Sequence, residues 1–274
     1  MRCFPARLSS ALLAAADGLR QGVNVLLSEP PPTQGDLNFS VLGIPVRVHP
    51  MFWAISGLLG LSGTGGKLGP ILIWVGVCFV SILIHELGHA LTARAHGWQP
   101  HITLYGMGGL ASYQPTYHSP RSQILITAAG PGAGFAFALV ILATIAATGH
   151  VVDFDWQRGG LLPIEFEPFE SDRINMLVYY LLFINIFWGL VNLLPVYPLD
   201  GGQISREVLG LVNPSDSLRQ SLWLSVVTGI VVAILAWTKM HDIYITLFFG
   251  YLAYSSYTML ESYFGRGGGL GGRR

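Results

Sequence analysis

The chain has 274 residues, of which 51% are hydrophobic and only 11% are charged. Soluble domains usually carry about 25% charged residues, so this composition excludes an ordinary wetted globule and predicts a multi-span membrane protein. The formal net charge is zero and no basic cluster stands out, which argues against a nucleic-acid-binding protein.

The two ends of the chain differ in composition from the middle. Residues 7–27 are compatible with a weakly amphipathic helix, which the sequence PPPTQG at 30–35 would end. A signal peptide is the alternative, but ALLAAA is short for its apolar region and no clear cleavage site follows. We therefore predict a flexible or interfacial tail over 1–40 and a transmembrane domain over 41–262. A flexible Gly/Arg-rich tail follows over 263–274.

Six apolar segments predict the membrane-spanning helices. A helix needs about 20 residues to cross a bilayer, and the first segment is shorter than this. The sequence GIPVRVH just before it alternates in the manner of an edge strand. The predicted fold class is an α-helical polytopic membrane protein with about six transmembrane helices, which cover 50–61, 68–93, 124–148, 175–194, 221–237 and 243–260.

The basic residues predict the orientation in the membrane. If both termini lie inside, the inner segments hold eleven arginines and the outer segments hold four Lys or Arg residues. Cytoplasmic loops carry the excess of Lys and Arg. We expect a multi-pass protein of the cell membrane with both termini in the cytoplasm and the acidic loop 149–173 outside.

The segment SILIHELGHA places three ionisable residues in an apolar run. His85 and His89, four residues apart, lie on one face of a helix and can reach a single metal ion, while Glu86 can take a proton from a metal-activated water. Chance placement predicts roughly 0.006 such motifs in a chain of this composition. Two histidines that only hydrogen-bond between helices are the alternative. An ionisable residue at mid-bilayer costs about 2.5–3.5 kcal/mol on insertion scales, which favours the metal site.

A catalytic zinc site usually has a third protein ligand, and Asp200 is the best candidate. It lies in NLLPVYPLDGGQ, where two prolines precede it and two glycines follow. Irregular backbone of this kind is tolerated at membrane depth where it lines a cavity. The alternative is that Asp200 caps a helix, and then His96 or His101 would be the next candidate for the third ligand.

Together, HELGH, the later AAGPGAG and the N-x-x-P-x-x-P-x-D-G motif resemble the site-2 protease family of intramembrane zinc metalloproteases. The resemblance covers about residues 41–262. It implies one Zn²⁺ ion per chain, held by His85, His89 and Asp200. It also implies that Glu86 is the general base and that Asn192 helps to stabilise the oxyanion. The short loop 149–173 leaves no room for the PDZ domain that many relatives carry, and the short C-terminal tail leaves none for a CBS pair.

The segment HITLYGMGGLASY at 101–113 resembles the re-entrant β segment beside the active site of this family. An unwound substrate could pair with an open strand edge there, and glycines would allow a close approach. Simple membrane packing is the alternative explanation for the glycines. The resemblance makes four residues candidates for substrate binding, namely Leu104, Gly106, Gly108 and Gly109.

The implied function is hydrolysis of a peptide bond within or near the transmembrane helix of a membrane-anchored protein, as in regulated intramembrane proteolysis. The expected partners are the lipid bilayer and a membrane-spanning substrate, such as a tethered transcription regulator or an anti-sigma factor. The active site would face the cytoplasm. A polytopic ion transporter with a His/Asp metal site and an inactive homologue that binds membrane partners are the alternatives.

Overall fold

The computed structural model describes residues 29–114, 119–154 and 164–264. The helix predicted over 7–27 lies outside this part of the chain, as does most of the C-terminal tail. The described helices are α1 (Pro50–Gly63), α2 (Leu68–Ala95), α3 (Pro120–Ala147), α4 (Asp172–Leu182), α5 (Gly189–Asn192), α6 (Asp200–Val212), α7 (Ser217–Leu235) and α8 (Ile243–Phe264). A π-helical turn (Phe183–Trp188) joins α4 to α5, and another (Ala236–Met240) extends α7.

Four of these helical stretches are long and apolar enough to cross a membrane, judged by length and composition. They are Leu68–Ala95, Pro120–Ala147, Asp172–Asn192 and Ser217–Met240. The apolar helix α1 is shorter, with 14 residues. The helix α8 has 22 residues but is not one of the four stretches that meet both criteria. The polytopic α-helical fold predicted from the sequence is confirmed, and the count of about six crossings is approximate.

A small sheet of four strands lies beside the helices. The strands β1 (Leu37–Val41), β2 (Ile44–Val48), β3 (His101–Tyr105) and β4 (Gly108–Ser112) follow one another in that order across the sheet. β2 pairs parallel to β3, and the other two pairs are antiparallel. The expectation that GIPVRVH forms an edge strand is therefore wrong in part. It forms a strand, but β1 and β3 cover both of its edges.

The sheet is anchored on one face by apolar packing and on the other by charge. Ile44, Val46 and Val48 alternate toward the core and are buried. On the opposite face the Arg47 guanidinium lies 2.8 Å from Glu29 Oε1 and 3.1 Å from Asp36 Oδ2. The folded domain thus begins before residue 41, since the chain from Glu29 onward is already held against the sheet. A second hairpin, β5 (Val152–Phe154) with β6 (Ile164–Phe166), lies between α3 and α4.

Close helix contacts place α2 at the centre of the fold. α2 packs against α1, α3, α4 and the hairpin β3–β4. A Cβ atom at Gly88 would lie 2.8 Å from the Ala133 Cβ and would overlap the main chain at Ala129. Small residues permit this approach of two helices in a membrane. The consequence is that the histidine-bearing face of α2 lies directly against α3.

Candidate metal centre

One face of α2 lines a cavity of about 330 Å³. Ser81, His85 and His89 follow one another at four-residue spacing along this face, and Glu86 lies beside them. Glu86 and His89 are each only 6% exposed as residues. The helical spacing predicted from HELGH is therefore realised, and the two imidazoles and the carboxylate all face one cavity.

Asp200 reaches the same space from the first turn of α6. The turn before it folds tightly against the helix start: a Cβ at Gly201 would overlap the main chain at Leu193, and one at Gly202 would lie 2.5 Å from the Tyr197 nitrogen. The two glycines after Asp200 therefore bring α6 into contact with the preceding turn. The Asp200 side chain approaches the two histidines, with Oδ2 near His85 and Oδ1 near His89, rather than a main-chain N–H of the described residues.

The three side chains converge as the ligands of one metal ion would. His85 Nε2 lies 3.1 Å from His89 Nε2 and 3.1 Å from Asp200 Oδ2, and His89 Nε2 lies 3.5 Å from Asp200 Oδ1. In a tetrahedral site with zinc–nitrogen bonds of about 2.0–2.1 Å, neighbouring ligand atoms are about 3.3 Å apart. Among the described residues Asp200 Oδ2 has no hydrogen-bond partner although it is buried. The donor set thus fits a dication better than a hydrogen-bonded cluster.

A hydrogen bond on the side of the ring away from the cluster fixes the orientation of His89. Its Nδ1 lies 2.8 Å from the Ile126 carbonyl oxygen on α3, and a carbonyl accepts only from a protonated nitrogen. Nε2 is then the lone-pair nitrogen and faces His85 and Asp200, which is the usual arrangement of a metal-ligating histidine. Gly130 on α3 leaves the space for both rings, since a Cβ there would overlap His89 and lie 2.8 Å from His85 Nε2.

Glu86 is held between α2 and the sheet. A Cβ at Gly109 would lie 2.5 Å from Glu86 Oε1, so only glycine fits beside this carboxylate. The main chain of Ala111 also hydrogen-bonds to Glu86. The strand β4 thus places the carboxylate at the cavity, next to the cluster of His85, His89 and Asp200.

The open edge of the sheet belongs to β4. The Leu104 carbonyl oxygen accepts a hydrogen bond from the His49 nitrogen on the β2 side. The main-chain groups of Leu104 therefore point toward β2 and away from its partner on β4, Gly109. Because the direction of main-chain groups alternates along a strand, those of Gly109 and Ala111 point to the outer side of β4. No other strand of the described residues pairs with this edge.

This geometry corrects the expectation for Leu104. It is fully buried in the interior strand β3, so it is not available to a pairing substrate. Gly106 packs against Met51 and Ile55 of α1 rather than toward the cavity. Gly108, with a φ of +121°, and Gly109 do line the cavity. Of the predicted substrate-binding residues, the structure brings these two to the site.

Asn192 and two tyrosines complete the polar lining. Asn192 ends α5, is buried, and lines the cavity. Tyr105 and Tyr113, which the sequence did not single out, lie at the ends of β3 and β4. Burial, together with the charge of Glu86, raises the pKa of Tyr105, and burial with the charge of Asp200 raises the pKa of Tyr113. Both therefore remain neutral hydroxyl groups over the ordinary pH range.

Sequence reasoning also missed a buried pair, Ser81 and Asn185. Asn185 lies in the π-helical turn, and its Nδ2 donates to Ser81 Oγ over 2.9 Å. π-helical turns are frequent at functional sites. The signal available in the sequence was an asparagine inside the apolar run FINIFW. His96 and His101, the alternative third ligands, bind Thr92 and Glu29 respectively and take no part in the cluster.

Comparison with known proteins gives a family and a fold. Residues 73–236, more than half of the chain, match the model of Peptidase family M50. The chain is 32% identical over 184 residues to a putative zinc metalloprotease of Synechocystis, covering 62% of this chain and 43% of that protein. It is 28% identical over 175 residues to a zinc metalloprotease of Methanocaldococcus jannaschii, covering 62% and 44%. The chain thus spans less than half the length of these relatives.

A solved structure shares the architecture. The Site-2 Protease from Methanocaldococcus jannaschii superposes with a TM-score of 0.54 at 23% identity, covering 82% of this chain and 95% of that one. This likeness shows the fold, and the family match includes HELGH and Asp200. The family predicted from these motifs is confirmed: the chain belongs to peptidase family M50.

Proposed function

We propose that this protein is a zinc-dependent intramembrane endopeptidase. The observation that carries the proposal is the convergence of His85 Nε2, His89 Nε2 and the Asp200 carboxylate at 3.1–3.5 Å, with Glu86 beside them in one cavity. The relatives named zinc metalloproteases support it. Family membership does not favour the ion-transporter alternative.

His85, His89 and Asp200 would hold the zinc ion, because two imidazole nitrogens and one carboxylate form a donor set typical of catalytic zinc. When bound, zinc supplies Lewis-acid chemistry, which favours ionisation of water and polarises the scissile carbonyl group. Three protein ligands leave a coordination position open. The site is therefore of the catalytic rather than the closed structural type.

The residues of the chain carry the proton transfers. Glu86, held by Gly109 and Ala111, takes the proton from the attacking water and returns it to the leaving amine. Asn192 lines the same cavity and donates its amide hydrogen to the developing oxyanion.

The substrate is a membrane-anchored protein whose helix unwinds before it is cut. The outward main chain of Gly109 and the outward carbonyl oxygen of Ala111 offer an edge for strand pairing, which satisfies backbone groups that unwinding exposes. The family includes the stage IV sporulation protein FB of Bacillus subtilis, which is 27% identical over 163 residues. A tethered transcription regulator or an anti-sigma factor is the substrate class that we propose.

The test of the proposal is zinc retention with Asp200 altered. Asp200→Asn is expected to weaken zinc binding at least about 100-fold, because a neutral amide is a poorer ligand for a dication. Metal content after dialysis against a weak chelator measures this, and cleavage of a single-span substrate should fall with it. The matched control is Asp216→Asn, which lies at the N-cap of α7 and is not one of the three converging ligands. Normal zinc content and activity in Asp200→Asn would exclude this residue as the third ligand.

We further propose that both termini and the active site face the cytoplasm, from the excess of arginine in the inner segments. Two exposed positions allow a test by cysteine labelling. Glu170 lies between β6 and α4, and Ser215 lies between α6 and α7. In a background without Cys3 and Cys78, an impermeant thiol reagent should label intact cells at 170 and not at 215. Equal labelling at the two positions would refute this orientation.

A further inference from the structure

Ser81 and Asn185 form a polar pair in the middle of two membrane-spanning helices. Ser81 is the midpoint of α2, and Asn185 lies near the centre of the stretch Asp172–Asn192. They are 2% and 4% exposed, and both line the cavity that contains the metal centre. Ser81 precedes His85 by one helical turn, a separation of about 6 Å along the axis. Polar residues at this depth cost free energy, and those that occur there usually have a function.

The pair is only half satisfied. Asn185 Nδ2 donates to Ser81 Oγ over 2.9 Å and to the Leu181 carbonyl oxygen over 2.8 Å. The second bond fixes the orientation of the amide, because a carbonyl oxygen needs a donor. This leaves the Asn185 Oδ1 acceptor and the Ser81 hydroxyl hydrogen, and neither is bonded to any of the residues that the structure describes.

The surroundings leave room for a ligand at these two atoms. A Cβ at Gly134 on α3 would lie 3.5 Å from Asn185 Oδ1, so the glycine keeps the space beside the acceptor free of a side chain. Three other residues that line the cavity have no polar side-chain atom and cannot bond to a polar ligand; they are Ile82, Ile184 and Phe248.

A free donor beside a free acceptor matches the main chain of an extended peptide. We propose that Ser81 and Asn185 form a subsite for the main chain of the unwound substrate, one helical turn from the metal centre toward the middle of the membrane. The inference rests on the proposed peptidase function. An extended chain directs its N–H and C=O groups alternately to opposite sides, and the β4 edge satisfies only one side. The pair satisfies groups on the other side, where lipid or an apolar wall would leave them unpaired.

The rival explanation is that the pair only braces the π-helical turn against α2. A brace would affect every substrate alike, whereas a subsite affects only substrates long enough to reach it. The discriminating experiment therefore compares two peptides with the same cut site, one short and one extended toward its membrane-interior end. Both are derived from a single-span protein that the wild-type enzyme cleaves, and kcat/KM is measured with zinc-loaded full-length protein in detergent.

We expect the extension to raise kcat/KM of the wild-type protein by about tenfold, the effect of one or two net hydrogen bonds. Ser81→Ala and Asn185→Leu should lose most of this gain and should cleave the short peptide within about twofold of wild type. The control is Thr92→Val on the same helix, whose hydroxyl bonds to the Gly88 carbonyl oxygen one turn away; it should keep the gain. Zinc content and thermal unfolding temperature check that each variant is folded.

Two results would overturn the subsite. One is an equal loss on both peptides, which identifies a brace. The other is a full gain from the extension in both variants, which shows that the pair touches no substrate. If the zinc-loaded wild-type protein cleaves neither peptide nor the parent protein, the peptidase function fails first and the subsite fails with it. The arms of the experiment therefore separate the two proposals.

Discussion

Replacing Glu86 with Gln is expected to lower kcat about 10²- to 10⁴-fold while zinc stays bound. The loss is that of a general base, and this range is typical of positioned acid–base catalysis. Gln keeps the size of the side chain, so the contact with Gly109 and the main chain of Ala111 remains possible. The metal should be retained because Glu86 is not among the three converging ligands, which are His85, His89 and Asp200.

The measurement combines metal analysis of purified protein with single-turnover cleavage of a membrane-anchored substrate. Glu170→Gln, at an exposed position between β6 and α4, is the control for the change from carboxylate to amide. It should cleave at the wild-type rate. Wild-type activity in Glu86→Gln would remove the general base from the mechanism. Loss of zinc in that variant would instead assign Glu86 to the metal site.

The metal centre could be predicted because its chemistry depends on local spacing. His85 and His89 lie on one helical face whatever the rest of the fold does. Asp200 needed the further constraint that broken backbone is tolerated at membrane depth only beside a cavity. The structure brings the three together within 4.8 Å. The long apolar helices could also be predicted, since a run of apolar residues has few other uses.

The sheet could be predicted only in part because strand order is not local information. GIPVRVH and HITLY both alternate, but alternation does not tell which strand lies inside. β1 pairs with the outer edge of β2, and β4 pairs with the outer edge of β3. Leu104 therefore lies in an interior strand, and the open edge of the sheet is formed by β4 with Gly109 and Ala111. The hydrogen bond between Ser81 and Asn185 could not be predicted either. It joins residues that are 104 positions apart, and one serine and one asparagine in apolar runs carry no spacing signal.

The glycines of α3 are a case in which sequence showed the residues and structure showed their use. The motif AAGPGAG suggested close helix packing in general. In the structure Gly130 faces the two imidazoles. For Gly132, on the same helix, none of the described residues outside its own helical turn lies within 4 Å of an added Cβ. The two positions therefore differ sharply in what a methyl group would meet.

Gly130→Ala is expected to lower zinc affinity at least about 100-fold, beyond the usual range for residues that support metal ligands. The added Cβ would overlap the His89 ring and lie 2.8 Å from His85 Nε2. The His89 ring cannot retreat in place, because its Nδ1 is tied to the Ile126 carbonyl oxygen on α3 itself. This ring must therefore rotate away from Asp200, and the three ligand atoms no longer converge. Zinc content at a fixed free-metal concentration measures the effect.

Gly132→Ala is the matched control and should behave in the opposite way. It adds the same methyl group to the same helix, where the space is open. Alanine in a helix interior is favoured over glycine by roughly 0.5–1 kcal/mol, so this variant should be as stable as wild type or slightly more so, with normal zinc content. If Gly130→Ala also keeps its zinc and its activity, the histidines have more freedom than the contact with α3 implies. The arrangement of His85, His89 and Asp200 would then not depend on the close approach of α2 and α3.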